Sequence, residues 1–246
     1  MEFTLKLERN ASFHGSEPQF ILSARRHGDD FYVSRYETFS SRSSECAPLH
    51  GFIAIVRAVG GSAAGAKCKA GERRAFELVA ADGTGSGPRA PLAAMSHSWF
   101  KQPDCGAEIR TVDAYTAGNS SSKKGGAADV FVWDSGRENT LTNGHPRDKT
   151  RSESSRTLLA SQIPRWDPVH GCLVMKFQRS RVKESSSKNF ILFRKSEAGR
   201  GGEVDASRAV MQFGKVSLNE YALDFKEPVA PLHAFAIALS AFAFSV

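Results

Sequence analysis

The chain closes on APLHAFAIALSAFAFSV, residues 230–246, a run with no formal side-chain charge apart from a protonatable His233. Leu232, Phe235, Leu239 and Phe242 recur at spacings of three, four and three, with alanine filling most of the remaining surface, which is a strong helix pattern. Pro231 suits the first turn, where its missing N–H is no loss. Ile237 and Phe244 fall off that stripe, so the predicted helix over 231–244 is apolar nearly all round and belongs in a protein core or a bilayer. At about 1.5 Å per residue it spans about 21 Å, short of the roughly 30 Å of hydrocarbon that takes about 20 residues, which disfavours a membrane anchor. The same residues also alternate large and small, so a strand is the second reading.

Upstream of this tail the chain reads as strands. Short alternating or apolar runs recur: FTLKLE, FILSAR, FYVSRY, FIAIVRAV, DVFVW, CLVMKFQ, NFILF, AVMQFGKV and YALDF. Clusters of Gly, Ser, Asp and Asn separate them, the pattern of an antiparallel barrel or sandwich. No segment before the tail sustains a helical period. Loop insertions are expected near 60–75, 117–128 and 136–155, where Gly, Ser, Asn and charge concentrate. A barrel with a lumen wide enough for a slim, alanine-rich helix satisfies both the strands and the tail. The 246 residues, 41% hydrophobic, suffice for one domain of this kind.

The 33 Lys and Arg against 26 Asp and Glu give a net charge of +7, which favours anionic partners: nucleic acid, phospholipid headgroups or phosphorylated ligands. Cys46, Cys68, Cys105 and Cys172 are widely and irregularly spaced with no C-x-x-C, so neither a zinc site nor a disulfide framework is signalled. The opening MEFTLKLERN alternates apolar and polar residues and lacks the apolar core of a signal peptide, so it reads as a first strand of an intracellular protein.

Several stretches resemble the tubby family. VMQFGKVSLNEYALDFKEPVAPLHAFAIALSAF, residues 210–242, is similar to that family's C-terminal signature: a Q-F-G-K/R-V strand, a strand ending in an acidic-aromatic pair, a proline, then Q-A-F-A-I-x-L-S-S-F. PRWDPVHGCLVMKFQRSRVKESSSKNFIL, residues 164–192, resembles its P-x-W block followed by N-F-x-G-R-V and K-N-F-x-(I/L). FILSARR (20–26) and GPR (87–89) resemble two shorter blocks, while residues 90–161 match poorly. The resemblance implies a closed antiparallel barrel of about twelve strands around a hydrophobic C-terminal helix. It also implies a non-enzymatic, monomeric adaptor or regulator without a cofactor that binds phosphatidylinositol bisphosphate headgroups at the cytoplasmic membrane face and carries a protein cargo. The expected location is the cytoplasm and plasma-membrane periphery, with nucleus or cilium as further possibilities. The runner-up is a basic nucleic-acid-associated transcriptional regulator, and a third reading is a scaffold with no ligand.

Multiply charged phosphates need convergent cationic donors, and residues two apart on a strand share one face. The family's clamp lies in F-I-G-K-L-R-S-N, to which FIAIVRAV (52–59) corresponds, so the resemblance assigns Arg57 to the clamp arginine. Ile55 stands where the family has its lysine, and Asp30 where it has a headgroup-contacting asparagine. A lost cation and a gained carboxylate both oppose binding of a polyanion. Arg74, before AFEL, corresponds to a further family arginine, with Arg73 the match if the register slips by one. Arg89, Arg25 or Arg26, and Lys67 are the remaining candidates, Lys67 as a steric replacement for the lost lysine.

No other motif competes with this one. GGSAAGAKC, residues 60–68, echoes a phosphate-binding loop but lacks its G-K-[S/T]. The seven histidines form neither H-x-x-x-H nor H-E-x-x-H, and no G-x-S-x-G is present, so nothing nominates a metal site or a nucleophile. His233 on the apolar tail reads as a core or barrel-mouth histidine.

Overall fold

The computed structural model describes residues 1–7, 19–37, 52–60, 68–81, 91–117, 156–196 and 205–244. The strands among them are β1 (Glu2–Leu7), β2 (Gln19–His27), β3 (Asp30–Ser34), β4 (Phe52–Val59), β5 (Arg73–Ala80), β6 (Ala93–Lys101) and β7 (Glu108–Ala117). They continue with β8 (Arg156–Ser161), β9 (Arg165–Asp167), β10 (Cys172–Val174), β11 (Phe190–Arg194), β12 (Met211–Ser217) and β13 (Glu220–Phe225), and the chain ends in helix α1 (Pro231–Ser240). The predicted run DVFVW and the loops near 117–128 and 136–155 lie outside the described residues.

Eleven strands form one antiparallel sheet in the order β1-β2-β3-β4-β5-β6-β7-β8-β11-β12-β13, and β9 and β10 form a separate two-stranded hairpin. The expected closed barrel of about twelve strands is therefore corrected. Among the described residues β1 and β13 exchange no backbone hydrogen bonds and remain the two edges of an open sheet. What brings the edges near one another is a side chain. Phe242 lies 4.8 Å from Phe3 on β1 and 5.1 Å from Tyr221 on β13, ring centre to ring centre.

The sheet curls over α1 as the apolar tail demands. Ala234, Ala236 and Ala238 let the strands approach the helix axis, while Phe235, Ile237 and Leu239 fill the space between. Each such large side chain, buried from water, stabilises the fold by about 1.5–3 kcal/mol. Against them pack Phe31, Val33, Ala54, Val56, Leu78 and Met95, all at 0% exposure on the inner face of β3 to β6. Pro231 occupies the first turn as expected, and Ala230 offers no side-chain cap. The helix stops at Ser240, short of the predicted 244, and the chain beyond it tightens: the amides of Ala241, Phe242 and Ala243 donate to the carbonyls three residues back, at Ala238, Leu239 and Ser240. Arg110 Nη1 donates to Ala241 O at 3.2 Å, and Arg26 donates to Phe242 O at 2.9 Å and Ala243 O at 3.3 Å. In a helix ending at 244 those carbonyls would equally lack intrahelical donors, and here the arginines satisfy them. His233 is half-buried, and desolvation holds it below the usual histidine range.

Candidate functional site

Cross-strand register sorts the charged side chains onto two faces, since directly paired residues share a side and neighbours along a strand alternate. Arg57 pairs with Glu77, and Val56 with Leu78. Val56 and Leu78 belong to the core, so Arg57 and Glu77 point outward. Arg74, three residues from Glu77, pairs with His97 on the inner side. The structure thus separates two residues that the sequence placed in one site. Arg73 is the one that shares the outer face with Arg57, and its Nε donates to Ser96 Oγ at 2.6 Å. Arg25, also outward, is paired with Glu2 at 2.8 Å, while Arg26 turns inward to the helix end. Lys67 and Arg89 lie outside the described residues.

On the outer face Arg57 does not stand alone. Its Nη2 lies 3.0 Å from Glu77 Oε2, with the arginine side chain 49% exposed and the glutamate only 13%. On its other flank Asp30 Oδ1 accepts from the Ala58 amide at 3.1 Å, which holds a second carboxylate beside the same strand. Where a clamp lysine would stand, Ile55 pairs with Tyr32 and Val79, an apolar row across three strands. The arrangement presents one solvent-facing guanidinium between two acids. It can meet a phosphate only in competition with Glu77.

The inner side of the same end of the sheet carries a second group of cations. Arg110 on β7 and Trp99 on β6 are register partners. The Arg110 guanidinium sits 5.6 Å from the Phe244 ring centre, and Lys188 Nζ sits 5.8 Å from that of Phe242. Burial brings the Arg110 pKa down to about 10. Lys188 is held below its usual range by burial and by the neighbouring charges of Arg110 and Lys215. Arg74 reaches this rim beside Cys68, whose thiol is pushed up by burial and drawn back by Arg74. Deeper in, His97 Nε2 lies 2.9 Å from Ser240 Oγ, which itself donates to Ile237 O at 2.7 Å. Ser240 therefore accepts from Nε2–H, and His97 Nδ1 is left as a buried acceptor without a partner.

Glu77, Arg110 and Lys188 were not singled out from the sequence. Glu77 stands inside the AFEL run, but its pairing with Arg57 needs the β4–β5 register. Lys188 opens the K-N-F block, and only the fold brings it to Phe242. Among the described residues no three His, Cys, Asp or Glu side chains are placed to hold a metal ion, and no helix is long and apolar enough to cross a membrane.

A curled antiparallel sheet around a terminal apolar helix, with arginines at one rim, defines a class of sheet domain built on its own C-terminal helix. The Tub family model matches residues 104–244, more than half of the chain, and the chain belongs to the Tub family. Tubby-related protein 2 of Mus musculus is 38% identical over 85 residues, 35% of this chain and 14% of the relative. Tubby-like F-box protein 11 of Arabidopsis thaliana is 32% identical over 117 residues, 44% of this chain and 30% of the relative. Tubby-like F-box protein 6 of Oryza sativa subsp. japonica is 31% identical over 90 residues, 37% and 22% respectively. The chain thus spans less than a third of the length of these relatives. Arg57 and Arg74 precede the stretch matched by the family model, whereas Arg110 and Lys188 fall within it.

Proposed function

We propose that this chain is a phosphoinositide-binding module that works at the cytoplasmic membrane face as an adaptor for a protein cargo, by binding and not by catalysis. The observation that carries the reading is Arg57, solvent-facing on β4 at the position that corresponds to the clamp arginine of the tubby family. Membership of that family and the net charge of +7 support it, the charge by favouring approach to an anionic surface. The two carboxylates that flank Arg57, Glu77 and Asp30, make the affinity modest. A second reading, a scaffold without a lipid ligand, is favoured by the Arg57–Glu77 pair, in which the exposed cation already has its counter-ion.

Sedimentation with vesicles carrying phosphatidylinositol bisphosphate, against phosphatidylserine vesicles of equal surface charge, separates the two. The lipid reading expects preferential binding to the bisphosphate and its loss in Arg57→Ala. Equal binding to every anionic vesicle, or an Arg57→Ala variant that binds as well as the parent, overturns it in favour of the scaffold.

A further inference from the structure

Three cations converge on the end of α1, and they are not equally occupied. Arg26 is fully engaged: Nε donates to Gly28 O at 3.0 Å, and its two terminal nitrogens donate to Phe242 O and Ala243 O. Arg110 spends only Nη1, on Ala241 O. Its Nε and Nη2 are shut off from solvent and have no acceptor. A buried donor left unmade is costly, more so on a charged group, and it calls for a reason. Those two nitrogens form the side edge of the guanidinium, whose parallel N–H vectors fit the two oxygens of one oxyanion.

The charge balance points the same way. Among the described residues no carboxylate pairs with Arg26, Arg110 or Lys188, and Glu184, the acid beside the neighbouring Lys215, is committed to that lysine at 2.6 Å. The helix C-terminus contributes about half a negative charge, and the carbonyls of Ala241, Phe242 and Ala243 just beyond it are already bonded to the arginines. Among the described residues positive charge is therefore left over in a half-buried mouth, where it is poorly screened. A monoanionic carboxylate would answer one of these cations, whereas a phosphate group carries enough charge for two.

We propose that the mouth at the helix end is a binding site for a phosphate group, gripped by the Nε–Nη2 edge of Arg110 and by Lys188, and separate from the outer face that carries Arg57. Phe244, half-buried with its ring over the guanidinium, is the part of the wall that turns aside to admit the ligand. The proposal does not depend on the reading of Arg57.

Thermal unfolding of the full chain in inorganic phosphate, against chloride at equal ionic strength, tests it. With phosphate at about five times its Kd, the melting temperature is expected to rise by roughly 2–4 °C. Lys188→Met, which keeps the apolar stem over Phe242, loses at least half of that shift. Arg110→Lys, which keeps a donor for Ala241 O but removes the fork, loses all of it. Lys6→Met, which removes an exposed cation paired with Glu37, keeps it whole, and because the membrane reading stands or falls on vesicle binding by Arg57→Ala, the two failures are told apart. No shift in the parent, an equal shift in chloride, or an undiminished shift in Lys188→Met overturns the site, and the last of these decides the matter even if Arg110→Lys fails to fold. Vesicles containing phosphatidic acid then distinguish the source. Binding that falls in Lys188→Met assigns the site to a lipid phosphate, and binding unaffected by it, with the solution shift lost, assigns it to a free phosphate.

Discussion

Arg57 and Glu77 face each other across β4 and β5 with 3.0 Å between Nη2 and Oε2, so the residue expected to meet an anion is already paired with one. A half-exposed ion pair of this kind is worth only about 0–1 kcal/mol, little enough for a multivalent phosphate to displace. Glu77→Gln removes the competitor and keeps the shape. Affinity for bisphosphate vesicles is expected to rise about two- to fivefold, the equivalent of that lost pair. Ile55→Lys, which places a second cation on the same outward face as Arg57, is expected to add about tenfold. Unchanged vesicle binding in both variants would remove the outer face from consideration.

Phe242 holds the two sheet edges through side chains, touching Phe3 and Tyr221, with Phe213 a further 6.0 Å neighbour. Because β1 and β13 share no backbone bonds, their association rests on this ring. Phe242→Ala is expected to cost about 3 kcal/mol in chemical denaturation. Hydrogen exchange is the sharper measurement: amides of β1 and β13 should lose protection together while those of β5 to β7 keep theirs. Loss confined to one edge would mean that the ring is only a local contact.

The terminal helix was legible because Leu232, Phe235, Leu239 and Phe242 repeat at helical spacing and nothing polar interrupts them. Strands β5 to β8 were not, for a physical reason visible in β6. Its inner face carries Met95 and His97, and its outer face carries Ala94 and Ser96, all buried, so no alternation of apolar and polar marks either side. Arg57 was placed correctly on a strand, yet its partner and the opposite facing of Arg74 follow from cross-strand register, which one strand's sequence does not contain. The rim cations were out of reach altogether, since Arg26 and the Phe242 carbonyl it binds are 216 residues apart in the chain.

Gly214 on β12 makes room for Val182, in the segment between β10 and β11. A methyl group there would overlap Val182, coming within 2.7 Å of Cγ1. Gly214→Ala is expected to destabilise by about 1–3 kcal/mol through overpacking. Val182→Ala alone should cost about 1 kcal/mol for its lost methyls. The double variant should cost clearly less than the two losses added together, since the overlap disappears with the valine. Strict additivity in urea unfolding would show that the two residues do not meet.

His97 makes the fold sensitive to mild acid. It is fully buried among the rings of Phe76, Trp99 and Phe244, and desolvation, reinforced by the Arg110 charge, holds its pKa well below 6.5. Arg74, its register partner on β5, adds positive charge on the other side, and α1 offers only the neutral Ser240. In the unfolded chain the imidazole takes up a proton near pH 6.5, whereas in the folded chain it stays neutral. Its contribution to stability is therefore complete above pH 6.5 and is lost as pH falls below that value, at up to about 1.4 kcal/mol per pH unit. His233, also held low by burial, adds in the same direction. Asp113, held above the usual carboxylate range by burial, acts oppositely, binding its proton more readily folded than unfolded. Urea unfolding between pH 7.5 and 5.5 should thus show falling stability. His97→Gln keeps a donor for Ser240 Oγ and should flatten most of that slope, even if it lowers stability at neutral pH. A variant that retains the parent's full slope would shift the acid sensitivity to another group.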